Sequence, residues 1–372
     1  MNLDQSITPF RDALRTKRET LRETASSGRG VIGYFCTYTP IEIIHASGFL
    51  PVRIWGDQVR VEKAYTLVPN FICPYMRQSL ELALGGGYDF LSGIVQGYTC
   101  DVACGMVNIW KENITGMLFH SVPLPYNDTD DSREFFRHGV AELVEKLTSI
   151  GGNFDSGSLE HSIELYGRIR ERVLALENLR STGMLPIGAE AFSTILRAGV
   201  ISDPEDYLRM LETLGDSLGE GQGRSGGGLP VMVSGSLIED QAILGLIEEL
   251  GGNIVADDLC TGVRNVFPPY GQGNDPLDRL IDRYMQRFPC PARAKPGRRA
   301  SLVADLVRTS GARGVIFVFQ KFCTPHLADH PIVSAALKEE GIPTILIELE
   351  EEGIMEGQIR TRLETFIGML GG

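Results

Sequence analysis

The sequence predicts an α/β protein with two four-stranded parallel sheets joined by a helical middle segment. Three observations carry this. Short apolar, β-branched runs alternate with longer helical stretches, which is the rhythm of βαβ units. That rhythm occurs once before residue 150 and again after residue 229, with only helical patterns between. The run Gly314-Val315-Ile316-Phe317-Val318-Phe319 is apolar throughout and bounded by Gly, as a strand covered on both faces requires. The expected partition is an N-terminal α/β domain over 1–155, a helical linker region over 156–228 and a C-terminal α/β domain over 229–372.

Residues 10–24 have helical spacing around Leu14 and Leu21, and Ser26-Ser27-Gly28-Arg29-Gly30 ends them. Val31-Ile32-Gly33-Tyr34-Phe35-Cys36 reads as the first strand. Thr39-Pro40-Ile41-Glu42 starts a helix, with Pro in the first turn and a carboxylate at the positive end. Strands follow at 50–55, 90–95 and 117–122. Between them Cys73-Pro74 opens a helix closed by Gly85-Gly86-Gly87, and a second helix begins after Thr99-Cys100-Asp101. An amphipathic helix over 135–150 stops at Gly151-Gly152. The middle is helical over 159–179 and 204–218, with a shorter helix between, and the glycine-rich stretch 219–228 reads as a hinge or loop. Strands then fall at 231–234, 253–256, 314–319 and 343–348, and helices at 241–250, 276–287, 299–309, 332–339 and 359–369. Thr324-Pro325 begins a helix directly after the 314–319 strand and Cys323.

Composition narrows the function. With 43% apolar and 22% charged residues the chain has the make-up of a soluble globular protein. A net charge of -13 disfavours nucleic acid or an anionic membrane as the main partner. The first 23 residues are polar, and no apolar run approaches the ~20 residues that span a bilayer. The expected compartment is the cytoplasm, where seven cysteines are not expected to form disulfides.

The cysteines fall in a pattern. Cys36, Cys100, Cys260 and Cys323 lie at or just past the carboxyl ends of strands, where α/β sheets bind ligands. Cys73 opens a helix before Pro74, Cys290 precedes Pro291 at an irregular turn, and Cys104 lies one helical turn beyond Cys100. Helix N-termini favour the thiolate, the form that binds metal. The paired Cys-x-x-Cys spacing of structural zinc and the tight runs of ferredoxins are both missing, so any ligands are scattered one per loop and converge on a cleft between the domains.

Other motifs carry less. Gly221-x-Gly223-x-x-Gly226 has the letters of a dinucleotide loop but precedes a strand, so it reads as linker. No Gly-x-x-x-x-Gly-Lys-Ser/Thr run is present, so ATP that drives the chemistry would be bound by another protein. Glu42 and His45, just after Cys36, are candidate acid/base residues beside a substrate. His326 and His330 read as a solvated helix start in preference to a metal pair. Asp101, Asp257 and Asp258 read as helix caps or loop braces, and Arg360 and Arg362 as surface charges. Cys36 is either a seventh thiol at the site or a plain buried one.

Tyr34-Phe35-Cys36-Thr37-Tyr38-Thr39-Pro40-Ile41-Glu42-Ile43-Ile44-His45-Ala46-Ser47-Gly48 resembles the N-terminal signature of the 2-hydroxyacyl-CoA dehydratase D-component family. Asn70-Phe71-Ile72-Cys73-Pro74-Tyr75, Thr99-Cys100-Asp101, Asp257-Asp258-Leu259-Cys260-Thr261-Gly262, Pro289-Cys290-Pro291 and Lys321-Phe322-Cys323-Thr324-Pro325-His326 match further blocks in order, over nearly the whole chain. The family includes dehydratase subunits, benzoyl-CoA reductase subunits and double-cubane cluster proteins. The resemblance implies paired Rossmann-like domains around an iron–sulfur cluster, fed with low-potential electrons by a separate ATP-hydrolysing iron–sulfur activator. It implies a dimer, either with itself or with a paralogous subunit. In the dehydratase branch the cluster is a [4Fe-4S] cubane, here on Cys73, Cys100 and Cys323, and the substrate is a CoA thioester. In the double-cubane branch an [8Fe-9S] cluster takes six cysteines, here Cys73, Cys100, Cys104, Cys260, Cys290 and Cys323, and reduces a small molecule. The Cys100–Cys104 spacing favours the second branch.

Overall fold

The computed structural model describes residues 3–218, 227–293, 296–350 and 356–372. The first sheet holds β1 (Val31–Tyr34), β2 (Leu50–Arg53), β3 (Leu91–Gly97) and β4 (Leu118–Val122). Its helices are α1 (Leu3–Ser26), α2 (Ile41–Ala46), α3 (Pro74–Leu84), α4 (Asp101–Asn113) and α5 (Asp130–Ser149). The middle forms α6 (Ser156–Ser181), α7 (Ala189–Ala198) and α8 (Pro204–Ser217). The second sheet holds β5 (Leu229–Gly235), β6 (Gly252–Asp258), β7 (Val315–Gln320) and β8 (Thr344–Leu349), with α9 (Ala242–Glu249), α10 (Val263–Val266), α11 (Pro276–Met285), α12 (Pro296–Ser310), α13 (Thr324–Glu339) and α14 (Glu356–Gly371) around it.

Both sheets are wholly parallel, in the orders β2-β1-β3-β4 and β6-β5-β7-β8. The expected α/β class and the two four-stranded sheets are therefore present. Strand β7 is buried at every position, as its unbroken apolar run requires. Sequence patterning misses α10, a single turn too short to show a period. The glycine-rich stretch read as a hinge lies, for residues 219–226, outside the described residues.

The three middle helices pack with the N-terminal half of α1: Ile7 and Phe10 share one apolar core with Tyr166, Phe192 and Leu211. Helix α11 joins the core of the first sheet, where Leu280, Ile281 and Tyr284 meet Ile32, Val95 and Phe136. The two halves thus interlock through a segment of the second. Among the described residues no helix is long and apolar enough to cross a membrane.

Candidate functional site

In each sheet the first and third strands lie side by side at the centre, and their connections leave to opposite sides. The crevice beyond their carboxyl ends is where such sheets bind ligands. Cys36 follows β1, Cys100 follows β3 and Cys323 follows β7, while Cys260 leaves the end of β6. Three of the cysteines take the same local position. Cys73, Cys100 and Cys323 are the N-caps of α3, α4 and α13. The N–H of Ala103 donates to Cys100 Sγ at 3.4 Å. The N–H groups of Met76 and His326, at the same position of their own helices, favour the Cys73 and Cys323 thiolates without closing a full capping bond. Unsatisfied N–H groups and the helix dipole make this a natural seat for an anionic sulfur.

Burial works against the thiolates. It pushes Cys73 and Cys290 up to about 11 and lifts Cys100, Cys104 and Cys323 above the usual thiol range. The cysteines then act on one another. Cys100 feels Cys73, Cys36 and Cys290, and Cys323 feels Cys73, Cys100 and Cys260. Every pair within Cys73, Cys100 and Cys323 is therefore in electrostatic reach. Cys290 feels Cys260 and Cys36, and Cys104 feels Cys36. Cys36 is thus in electrostatic reach of Cys100, Cys104 and Cys290, and Cys260 of Cys290 and Cys323. None is in a disulfide.

The surroundings are cationic. Arg264, only 2% exposed, ion-pairs Asp258 through Nε at 2.8 Å. Its Nη1 faces Cys260 Sγ at 3.6 Å and Cys290 Sγ at 3.9 Å. Arg53 donates to the Cys260 carbonyl at 3.3 Å, and its buried Nε has no acceptor among the described residues. Arg287 donates to the Thr37 and Arg264 carbonyls and lies over the ring of Tyr38. His326 completes the web. Its Nδ1 lies 3.2 Å from Cys323 Sγ, and its Nε2 3.3 Å from both Arg264 Nη atoms and 3.0 Å from the Gly235 carbonyl. Burial, reinforced by Arg264 and Arg299, keeps this imidazole neutral.

This corrects one expectation. His326 is not a solvated helix start but is 4% exposed and bonded into the cysteine site. One turn on, His330 packs edge-on against Phe317 instead of facing the same sulfur. Sequence spacing placed both on one helix face but gave no sign that this face turns inward. The three arginines were missed as well, since a lone Arg carries no pattern.

Glu42 and His45, expected as acid/base groups, find other partners. Glu42 is fully buried, accepting from Arg170 at 2.6 Å, Tyr284 at 2.7 Å and Tyr270 at 2.5 Å. Burial pushes its carboxyl up, but Arg170 and Arg283 outweigh that and hold it at about 2. His45 Nδ1 meets Ser162 Oγ at 2.7 Å and its Nε2 lies 3.5 Å from Glu205. Asp258 braces Arg264 and Arg299, as a loop-bracing role implied.

A cleft of about 300 Å³ opens beside Cys290, lined by Tyr38, Tyr126, Tyr284, Arg287, Pro289 and Arg293. A wider one of about 810 Å³ passes Pro74 and Phe322, the neighbours of Cys73 and Cys323. Among the described residues no three His, Cys, Asp or Glu side chains close on a point as they would around a single ion.

The chain is 28% identical to the (R)-phenyllactyl-CoA dehydratase beta subunit of Clostridium sporogenes, over 98% of each protein. It is 29% identical to the beta subunit of lactoyl-CoA dehydratase of Anaerotignum propionicum, over 93% of each. It is 28% identical to a benzoyl-CoA reductase subunit of Thauera aromatica, over 92% of this chain and 91% of that one. The family model for the 2-hydroxyglutaryl-CoA dehydratase D-component matches residues 36–370, from the first cysteine almost to the end of the last helix, and the chain belongs to that family.

Proposed function

We propose that the chain is a subunit of an iron–sulfur enzyme acting on a CoA thioester, with the cluster on Cys73, Cys100 and Cys323. The observation that carries this is the trio of helix-capping cysteines, drawn from both halves of the chain and in mutual electrostatic reach. The donor set fits such a group. Thiolates are its preferred ligands. A bound cluster is anionic, and Arg53, Arg264 and Arg287 place positive charge about the sulfurs. When bound, the cluster supplies one-electron chemistry. The chain's own residues do the rest. Helix N-termini hold the sulfurs, the guanidiniums offset their charge, and the Tyr38–Arg287 cleft admits a substrate beside Cys290. The relatives are each named as one subunit of an enzyme, which supports a paralogous partner subunit. A separate ATP-hydrolysing activator, which the family resemblance of the sequence implies, is the proposed source of electrons.

A second reading, the double-cubane reductase, is favoured by one observation: Cys260 and Cys290 share one guanidinium nitrogen beside the trio. Iron and acid-labile sulfide in anaerobically purified protein test both readings. About four irons per chain support the CoA-thioester enzyme and about eight the double cubane. No iron, in protein reconstituted with iron and sulfide under reducing conditions, overturns both.

A further inference from the structure

The guanidinium of Arg264 is anchored along one edge and directed at sulfur along the other. Nε pairs with Asp258, and Nη2 donates to the Asp258 carbonyl at 2.6 Å and to the Gly235 carbonyl. Asp258 is itself fixed by Arg299 and by Ser234 Oγ at 3.0 Å, so the anchor does not swing. What remains is Nη1, whose neighbours are Cys260 Sγ, Cys290 Sγ and His326 Nε2. His326 lies between these groups and Cys323, with Nε2 3.0 Å from the Gly235 carbonyl and Nδ1 3.2 Å from Cys323 Sγ. One planar, permanently charged group thus reaches two cysteines on two separate loops. A lysine, with one compact head, does not span the anchor and the sulfurs together.

We infer that Arg264 is a positioning residue of the cysteine site: it draws Cys260 and Cys290 to a common point by aiming one guanidinium nitrogen at both sulfurs. Where a cluster is bound, which rests on the function proposed above, a fixed positive charge beside it stabilises the more reduced, more negative state.

The first test needs no cluster. In apoprotein carrying Ser at the other five cysteines, a short dithiol-bridging reagent is applied and the Cys260–Cys290 cross-link is quantified by peptide mass spectrometry. Native Arg264 gives a high yield, and Arg264→Met and Arg264→Lys lower it several-fold. Should Arg264→Met not fold, judged by circular dichroism, Arg264→Lys keeps a charge beside Asp258 and carries the test. A yield unchanged in a folded variant overturns the proposal. The second test follows the midpoint potential of the loaded protein by spectroscopic redox titration. Arg264→Met moves it to more negative values at unchanged iron content, and an unmoved potential overturns the electrostatic part. If the native protein binds no iron, the proposed function fails, and the cross-linking result still decides the role of Arg264.

Discussion

Glu42 offers the sharpest division between a catalytic and an architectural role. Its carboxylate is fully buried, and its partners Arg170 and Tyr284 come from α6 and α11 while Glu42 itself sits on α2. The folded protein holds the group at about 2 against 4.5 in the free side chain. At ~1.4 kcal/mol per unit this corresponds to about 3 kcal/mol, and full burial leaves no solvent screening to discount. Breaking a buried pair from one side costs about 3–5 kcal/mol by mutation, in agreement. The sign follows from the direction of the shift. A carboxyl lowered on folding contributes stability that is complete above its unfolded value and lost as pH falls toward the folded one. Glu42→Gln is therefore expected to lose about 3 kcal/mol at pH 7 in urea unfolding of the apoprotein followed by circular dichroism. The gap to the native protein stays constant above the free value of 4.5, narrows below it and closes near 2. A variant as stable as the native protein at pH 7, yet inactive when loaded, refutes this reasoning and returns Glu42 to the acid/base role.

Other substitutions probe the site and its frame. In Gly235→Ala the new methyl collides with the Val318 carbonyl in the neighbouring strand, so thermal unfolding should show a loss of ~3 kcal/mol or more. Phe322 holds a left-handed φ of 63° just before Cys323, so Phe322→Val should cost ~1–2 kcal/mol in chemical denaturation while Phe322→Gly stays within ~1 kcal/mol of the native protein. Cys100→Ser should lower the iron content of reconstituted protein, because it removes one of the helix-capping trio. If about eight irons bind, Cys104→Ser and Cys290→Ser should lower the count as well, while Cys36→Ser leaves it unchanged, since six thiolates serve the double cubane. A count reduced in Cys36→Ser and held in Cys104→Ser would put Cys36 in the ligand set in place of Cys104.

The sheets were legible because their strands are covered on both faces. An apolar run such as residues 315–319 has few other folds open to it, and the repeated rhythm gave the second sheet with the first. The helix starts at Cys73 and Cys323 were marked by Pro74 and Pro325, and these marks located the cysteines on helix caps. What patterning did not carry was the set of buried cations. Arg53, Arg264, Arg283 and Arg287 are each no more than 5% exposed, against the strong tendency of arginine to lie at the surface. Their burial depends on acceptors far off in sequence, such as the Thr37 carbonyl for Arg287, and distance along the chain erases any local signal. Glu42 shows the same limit. Its place beside a cysteine signature suggested chemistry, and no local pattern pointed to partners more than 100 residues away.

Those distant bonds bear on why the site is built as it is. Residues 260–290 carry both the second group of cysteines and the grip of one half of the chain on the other. Tyr284 donates to the Thr39 carbonyl at 2.8 Å as well as to Glu42, Tyr38 donates to the Phe288 carbonyl, and Arg287 donates to the Thr37 carbonyl. Each bond ties the loop after β1, which holds Cys36, to the segment leading into Cys290. An apolar interface would bury the same surface and hold the halves together, but apolar contacts are non-directional and tolerate sliding. Hydrogen bonds and ion pairs have preferred distances and angles, and in a low-dielectric interior they reinforce one another. Sulfurs contributed by separate loops must keep their spacing to well within an ångström if they are to share one group. The desolvation of so many arginines is therefore intelligible as the cost of registration: the polar web around Glu42 fixes where the two halves meet, and that junction fixes where the sulfurs stand.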